Sequence, residues 1–146
     1  SLDFIILHGT CAHLMTDALR RGNVPVMSGP FLSERSKPEL RELTPASPGI
    51  LNKAGIKISI VTDHPVIPVQ YLPLCAGLAA REGMDHYEAL KAITINAAEL
   101  AGVSDRVGSI AVGKDADFAL FKDDPLTLAA KPRMVFVNGN LISMQN

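Results

Sequence analysis

The sequence predicts an α/β fold with parallel strands, followed by a small β unit at the carboxyl end. Three observations carry this. Over residues 1–103, short apolar runs alternate with segments of helical spacing, the order that gives parallel strands joined by crossover helices. Over residues 104–146 the pattern turns strand-like around Asn138-Gly139, a strong hairpin signal. Hydrophobic residues make up 47% of the 146-residue chain, enough for the core of a single domain.

The elements follow in order. Phe4 to Leu7, "FIIL", is a continuous apolar run and predicts a strand buried on both faces. "CAHLMTDALRRG" places Leu14, Ala18 and Leu19 at helical spacing, carries two arginines in its last turn and stops at Gly22. "VPVMSG" is the second strand. From Pro30 to Pro48 the chain is polar and proline-punctuated, a connection of the length that is often functional. "PGILNKAG" predicts a short helix with Ser47 as cap and Pro48 at its first position, and "IKISIVT" the third strand. "VQYLPLCAGLAAREG" is apolar around most of its circumference, as a helix packed between layers must be. "DHYEALKAITI" has Asp85 and Glu88 at capping-box spacing, and "NAAELAG" adds a helical turn. "VGSIAVGKDADFALF" and "MVFVNGNLI" then read as strands.

Composition excludes several classes of function. The formal net charge of −1, with acids and bases interspersed, gives no footprint for nucleic acid or an anionic membrane, so a small molecule or another protein is the expected partner. Cys11 and Cys75 lie far apart in apolar surroundings and read as reduced core thiols rather than a disulfide or zinc pair. "SLDFIILHGT" has none of the marks of a leader peptide, and no apolar run approaches membrane-spanning length. A cytoplasmic location is the expectation.

In parallel α/β folds, chemistry gathers at the carboxyl ends of the strands. His8 follows the first strand and Asp63 the third. A carboxylate there loses solvation, a cost that a divalent cation or hydrogen-bond donors offset; with a metal, Asp63 serves as both ligand and proton acceptor. On spacing alone, an aspartate after a strand is more often an Asx-turn or a cap, and His8 more often a hydrogen-bonded strand-end histidine. His13 reads as a local structural residue, and His86 as an exposed residue at a helix start. His64 either lines the pocket or orients the turn. Arg35, Lys37 and Arg41 suit a clamp on a substrate carboxylate or, equally, a solvated loop. The glycines form no phosphate-binding fingerprint.

"HGTCAHL", "VPVMSGP", "GIKISIVTDHPV", "ALKAITINAAELAGVSDRVGSIAVGKDADFALFKDDPL" and "MVFVNGNLI" together resemble the carboxyl-terminal part of the metal-dependent amidohydrolases, most nearly the imidazolonepropionase-like branch. The resemblance implies a partial (β/α)8 TIM-type barrel, its last three parallel strands with their helices over residues 1–103, and a share of a small composite β domain over residues 104–146. It implies a hydrolase of cyclic amides or related C–N bonds that uses zinc or iron and acts on a small molecule. Asp63 matches the last-strand aspartate, a metal ligand that also takes a proton from the hydrolytic water. His8 matches the sixth-strand histidine, which ligates metal or contacts substrate, and His64 a position beside the metal. Arg35 is the candidate for substrate binding on the long loop. The first-strand His-x-His pair and the fifth-strand histidine have no counterpart in this sequence. Such a metal takes about four ligands, so the isolated chain is expected to bind it weakly and to catalyse nothing measurable. The rival expectation is a non-catalytic α/β module that self-associates, or binds a partner, through uncovered barrel edges.

Overall fold

A computed structural model describes residues 4–144. Strand β1 (Ile6–Leu7), helix α1 (Thr16–Arg21), strand β2 (Val26–Ser28), helix α2 (Ser47–Lys53) and strand β3 (Ile58–Ile60) form two successive βαβ units. Their strands make a parallel sheet in the order β1-β2-β3, with Ile6 opposite Val26, Val26 opposite Ile58, and Ser28 opposite Ile60. The chain goes on through α3 (Leu72–Arg81), α4 (His86–Ala92) and α5 (Ile95–Leu100). It ends in an antiparallel meander of β4 (Phe118–Phe121), β5 (Pro132–Val137) and β6 (Asn140–Met144). The fold is the partial barrel with a small antiparallel sheet that the sequence predicts.

Side chains alternate across a strand, so this register puts Ile6, Val26, Ile58 and Ile60 on one face. They pack with Leu51 of α2, Cys75, Ala76 and Ala79 of α3, and Ala89 and Ala92 of α4. The alanines let the helix axes approach, and each fully buried branched side chain contributes about 1.5–3 kcal/mol. The long connection between β2 and α2 is fastened to the same core by Phe31 and Leu43, both buried. At the outer edge of β3, the buried Asn96 of α5 donates its amide to the Ile58 carbonyl at 3.1 Å, satisfying an acceptor with no strand beside it.

The small sheet closes through Asn138 and Gly139, both left-handed (φ 49° and 74°), as a tight hairpin of that hand requires. The Phe118 and Phe136 rings stack across it at 4.6 Å. Its tie to the body is Asp124-Pro125-Leu126: Leu126 is buried in the core of the barrel portion, and its carbonyl lies where a Cβ on Gly77 of α3 would come within 2.0 Å.

Several expectations are corrected. Phe4, Ile5 and Leu7 are exposed rather than buried on both faces: β1 is an edge strand, Phe4 and Ile5 precede its paired residues, and Leu7 stands on the face opposite Ile6. The first helix begins as a tighter 3-10 turn over Ala12–Met15 and leaves Leu14 exposed. Ala46, not Ser47, occupies the cap position of α2; Ser47 is already helical and its buried hydroxyl has no partner. Asp85 does cap α4, accepting the Glu88 amide at 3.0 Å, but the Glu88 carboxylate reaches Lys91 and Asn52 instead of folding back. Residues 107–117 are turns around Gly108 and Gly113, at φ 87° and 88°, not a strand. Cys75 is a buried thiol whose pKa burial pushes up, whereas Cys11 is only half-buried and donates to the Glu39 carbonyl.

Gly77→Ala is expected to destabilise the protein by about 1–3 kcal/mol, since the methyl meets main chain and cannot rotate away. A urea midpoint unchanged from wild type would show that Leu126 does not hold the small sheet to α3.

Candidate metal-binding and acid–base site

The carboxyl ends of β1, β2 and β3 form one rim. His8 leaves β1 and Asp63 follows β3, and both residues are left-handed, at φ 59° and 53°. A non-glycine residue in that region carries roughly 1–3 kcal/mol of strain, which persists only where the surroundings impose it. Around His8 they do. The Gly9 amide donates to Met27 O at 3.0 Å and the Thr10 amide to His8 O at 2.7 Å. Gly9 is packed so tightly that a Cβ would stand 2.5 Å from Val26 Cγ1. Around Asp63, the Val66 amide donates to Asp63 O at 2.8 Å and the Ile67 amide to Thr62 O at 3.2 Å, with Ile67 buried as an anchor.

These turns bring two side chains together across the end of β2. His8 Nε2 and Asp63 Oδ1 are 3.2 Å apart, with 45% and 31% of the side chains exposed. Outer strands of such a three-stranded sheet are about 9–10 Å apart, so the two groups meet only by leaning over the middle strand. The contact is an ion pair when His8 is protonated. Two ligands of one ion, bonded at about 2.0–2.1 Å in tetrahedral geometry, stand about 3.3 Å apart, so the pair also fits a shared metal as two of its donors. Among the described residues, no three His, Cys, Asp or Glu side chains come together in a way that could hold a metal ion.

The other candidates are less committed. His64 is exposed in the turn after Asp63. Arg35 is exposed on the long connection and its Nη2 donates to the Leu43 carbonyl at 2.7 Å, so its guanidinium braces its own loop. His13 is half-buried, with Nδ1 lacking a partner. Patterning gave no hint of a second histidine–aspartate pair: His86 Nε2 lies 2.8 Å from Asp124 Oδ2. The Leu126 amide first, and His86 second, hold the Asp124 carboxyl below its ordinary value. That pair belongs to the tie between α4 and the small sheet.

Comparison with known proteins gives consistent results. A family model described as "Amidohydrolase family" matches residues 1–142. Amidohydrolase tasK of Hapsidospora irregularis is 30% identical over 135 residues, covering 90% of this chain and 14% of the relative. The imidazolonepropionase of Shewanella baltica (strain OS223) is 31% identical over 119 residues, covering 77% of this chain and 24% of the relative. The crystal structure of an amidohydrolase from Thermotoga maritima MSB8 superimposes with a TM-score of 0.90 at 35% identity, over 97% of this chain and 37% of that one. This chain therefore spans a quarter or less of those two curated relatives and just over a third of the solved structure.

Asp63→Gly, which relieves the backbone, is expected to change unfolding free energy by less than about 1 kcal/mol. Ile60→Ala in the same strand is expected to cost about 2–5 kcal/mol. Equal losses in chemical denaturation would mean that the Asp63 side chain is structural.

Proposed function

We propose, from the premise that this chain belongs to the amidohydrolase family, that it supplies the sixth-to-eighth-strand part of the active site of a hydrolase acting on non-peptide C–N bonds of cyclic amides. Membership supports hydrolysis of C–N bonds and, as is general in the superfamily, a divalent metal. The imidazolonepropionase relatives favour a small cyclic amide as substrate. The observation that carries the reading is the approach of His8 and Asp63 over the rim, each held in a left-handed turn and each open to solvent.

In this reading Asp63 and His8 are two of the donors to a zinc or iron(II) ion. When bound, that ion supplies Lewis acidity toward the scissile carbonyl. Asp63 takes the proton from water as the new C–O bond forms, and returns it to the ring nitrogen as the C–N bond breaks, so that one carboxylate is base and then acid. The 3.2 Å between His8 Nε2 and Asp63 Oδ1 is the separation of two donors that would hold one ion between them. His64, next in sequence and exposed, faces the substrate, and Arg35 attracts a substrate carboxylate from the long loop.

Two donors are about half of what such a metal takes, so we further propose that these 146 residues alone turn over no substrate. In a polypeptide that carries a complete barrel, Asp63→Asn is expected to lower kcat for cyclic-amide hydrolysis by about 10²–10⁴-fold. Undiminished turnover removes Asp63 from the mechanism. Metal-dependent hydrolysis by the 146-residue chain would contradict the requirement for further ligands.

A second reading, self-association without catalysis, is favoured by the apolar surface at and after the free edge of β1. There Phe4, Leu7, Leu14 and Met15 are each more than half exposed. Size exclusion with light scattering is expected to report a dimer at micromolar concentration; a monodisperse monomer sinks this reading.

A further inference from the structure

The middle strand contributes neither of the two site residues, yet its last residue touches the turns that carry both. Ser28 is fully buried at the end of β2. Its Oγ donates to the Gly9 carbonyl at 3.3 Å, directly after His8. Its own carbonyl accepts the Val61 amide at 3.0 Å, two residues before Asp63. The next residue, Gly29, sits at φ 139°, where a Cβ would be 2.1 Å from the Val61 carbonyl, so only glycine admits this approach. On the β1 side, the Gly9 amide is held by Met27 O. The ends of the two outer strands are thus tied to one residue, by its hydroxyl on one side and its carbonyl on the other.

The main-chain part of this tie is ordinary parallel pairing and would survive any side chain. The hydroxyl is different. It reaches along the rim to a carbonyl in the turn that makes His8 left-handed, and a buried hydroxyl has few alternatives to that acceptor. Without it, Gly9 O keeps only the Ala12 amide, at 3.3 Å, and the His8 turn loses a side-chain tie to β2, so the imidazole shifts relative to Asp63.

We infer that Ser28 is a positioning residue of the site, setting the separation of His8 and Asp63 through its hydrogen bond to Gly9. The inference rests on the reading of His8 and Asp63 as metal donors, and it goes beyond that reading by naming what fixes their spacing.

Cobalt(II) is the probe, titrated into the 146-residue chain and followed by its visible absorption. The signal that matters is the component lost in Asp63→Asn. Ser28→Ala is expected to weaken that component by about 10-fold, the scale of a lost outer-shell partner, while Ser28→Thr, which keeps the hydroxyl, restores it. Leu126→Val, a destabilising change in the packing against α3, is expected to leave cobalt affinity as in wild type. If Asp63→Asn changes nothing, the metal-donor reading falls and the role of Ser28 with it. If Asp63→Asn abolishes the component but Ser28→Ala binds as wild type, or Leu126→Val weakens it equally, Ser28 does not position the site although the site stands.

Discussion

Everything at the rim depends on the burial of one row of side chains beneath it. Ile6, Val26, Ile58 and Ile60 face the helices, and their packing against Leu51 and the alanines of α3 and α4 fixes the level and twist of three very short strands. Strands of two or three residues have too few ladder hydrogen bonds to hold a register unaided. A slip of one residue would turn the whole row to the other face, and the apolar cost of that slip is what specifies the register. Once the register is set, the positions at which the chain must leave each strand are set as well. His8, Ser28 and Asp63 fall at the exits.

Strain at those exits is affordable because the core beneath is not. Left-handed backbone at both His8 and Asp63 costs a few kcal/mol together, and the chain accepts it where glycine would be easier. Gly55 and Gly139, left-handed in ordinary turns, show that choice in the same molecule. A histidine and an aspartate in such positions approach each other to 3.2 Å, a contact that glycine could not make. Gly9 and Gly29 fit the same account. Each clears room for main chain or a branched side chain at distances that no Cβ tolerates, Gly9 after His8 and Gly29 after Ser28.

Much of this was legible in the sequence, and the residues that were not have a common cause. The βαβ order, the hairpin at Asn138-Gly139 and the cap at Asp85 are local signals, encoded in residues a few positions apart, and they appear where expected. The burial of β1 is not legible, because a continuous apolar run says that a strand is suited to two covered faces, not that this chain covers them. Ser47 was misread by one residue, the usual uncertainty at a helix start, where Pro48 fits the second position as well as the first. Residues 107–117 alternate like a strand, but Gly108 takes a left-handed turn packed against Ala98, a contact invisible to periodicity. Spacing alone favours an Asx-turn or a cap for Asp63; the strand-end rule sets it beside His8 as a candidate, and the resemblance of whole blocks gives the two their roles, because their meeting depends on sheet order rather than on anything near either residue.

Two histidine–aspartate pairs in one chain show why geometry alone does not identify a site. His86 and Asp124 are closer, at 2.8 Å, than His8 and Asp63, at 3.2 Å. Yet Asp124 has its other oxygen on the Leu126 amide, in the turn that inserts Leu126 into the core, and its backbone carbonyl accepts from Thr127. One oxygen of that carboxylate is engaged by the segment it organises, and the other takes His86 as a clasp between α4 and the small sheet. Asp63 stands the other way about. Its main chain is engaged, through the Val66 amide, while its carboxylate meets a ring from a different strand over a solvent-facing rim. A carboxylate held by its own turn stabilises that turn; the Asp63 carboxylate, held away from its turn at the mouth of a parallel sheet, stays partly open to solvent.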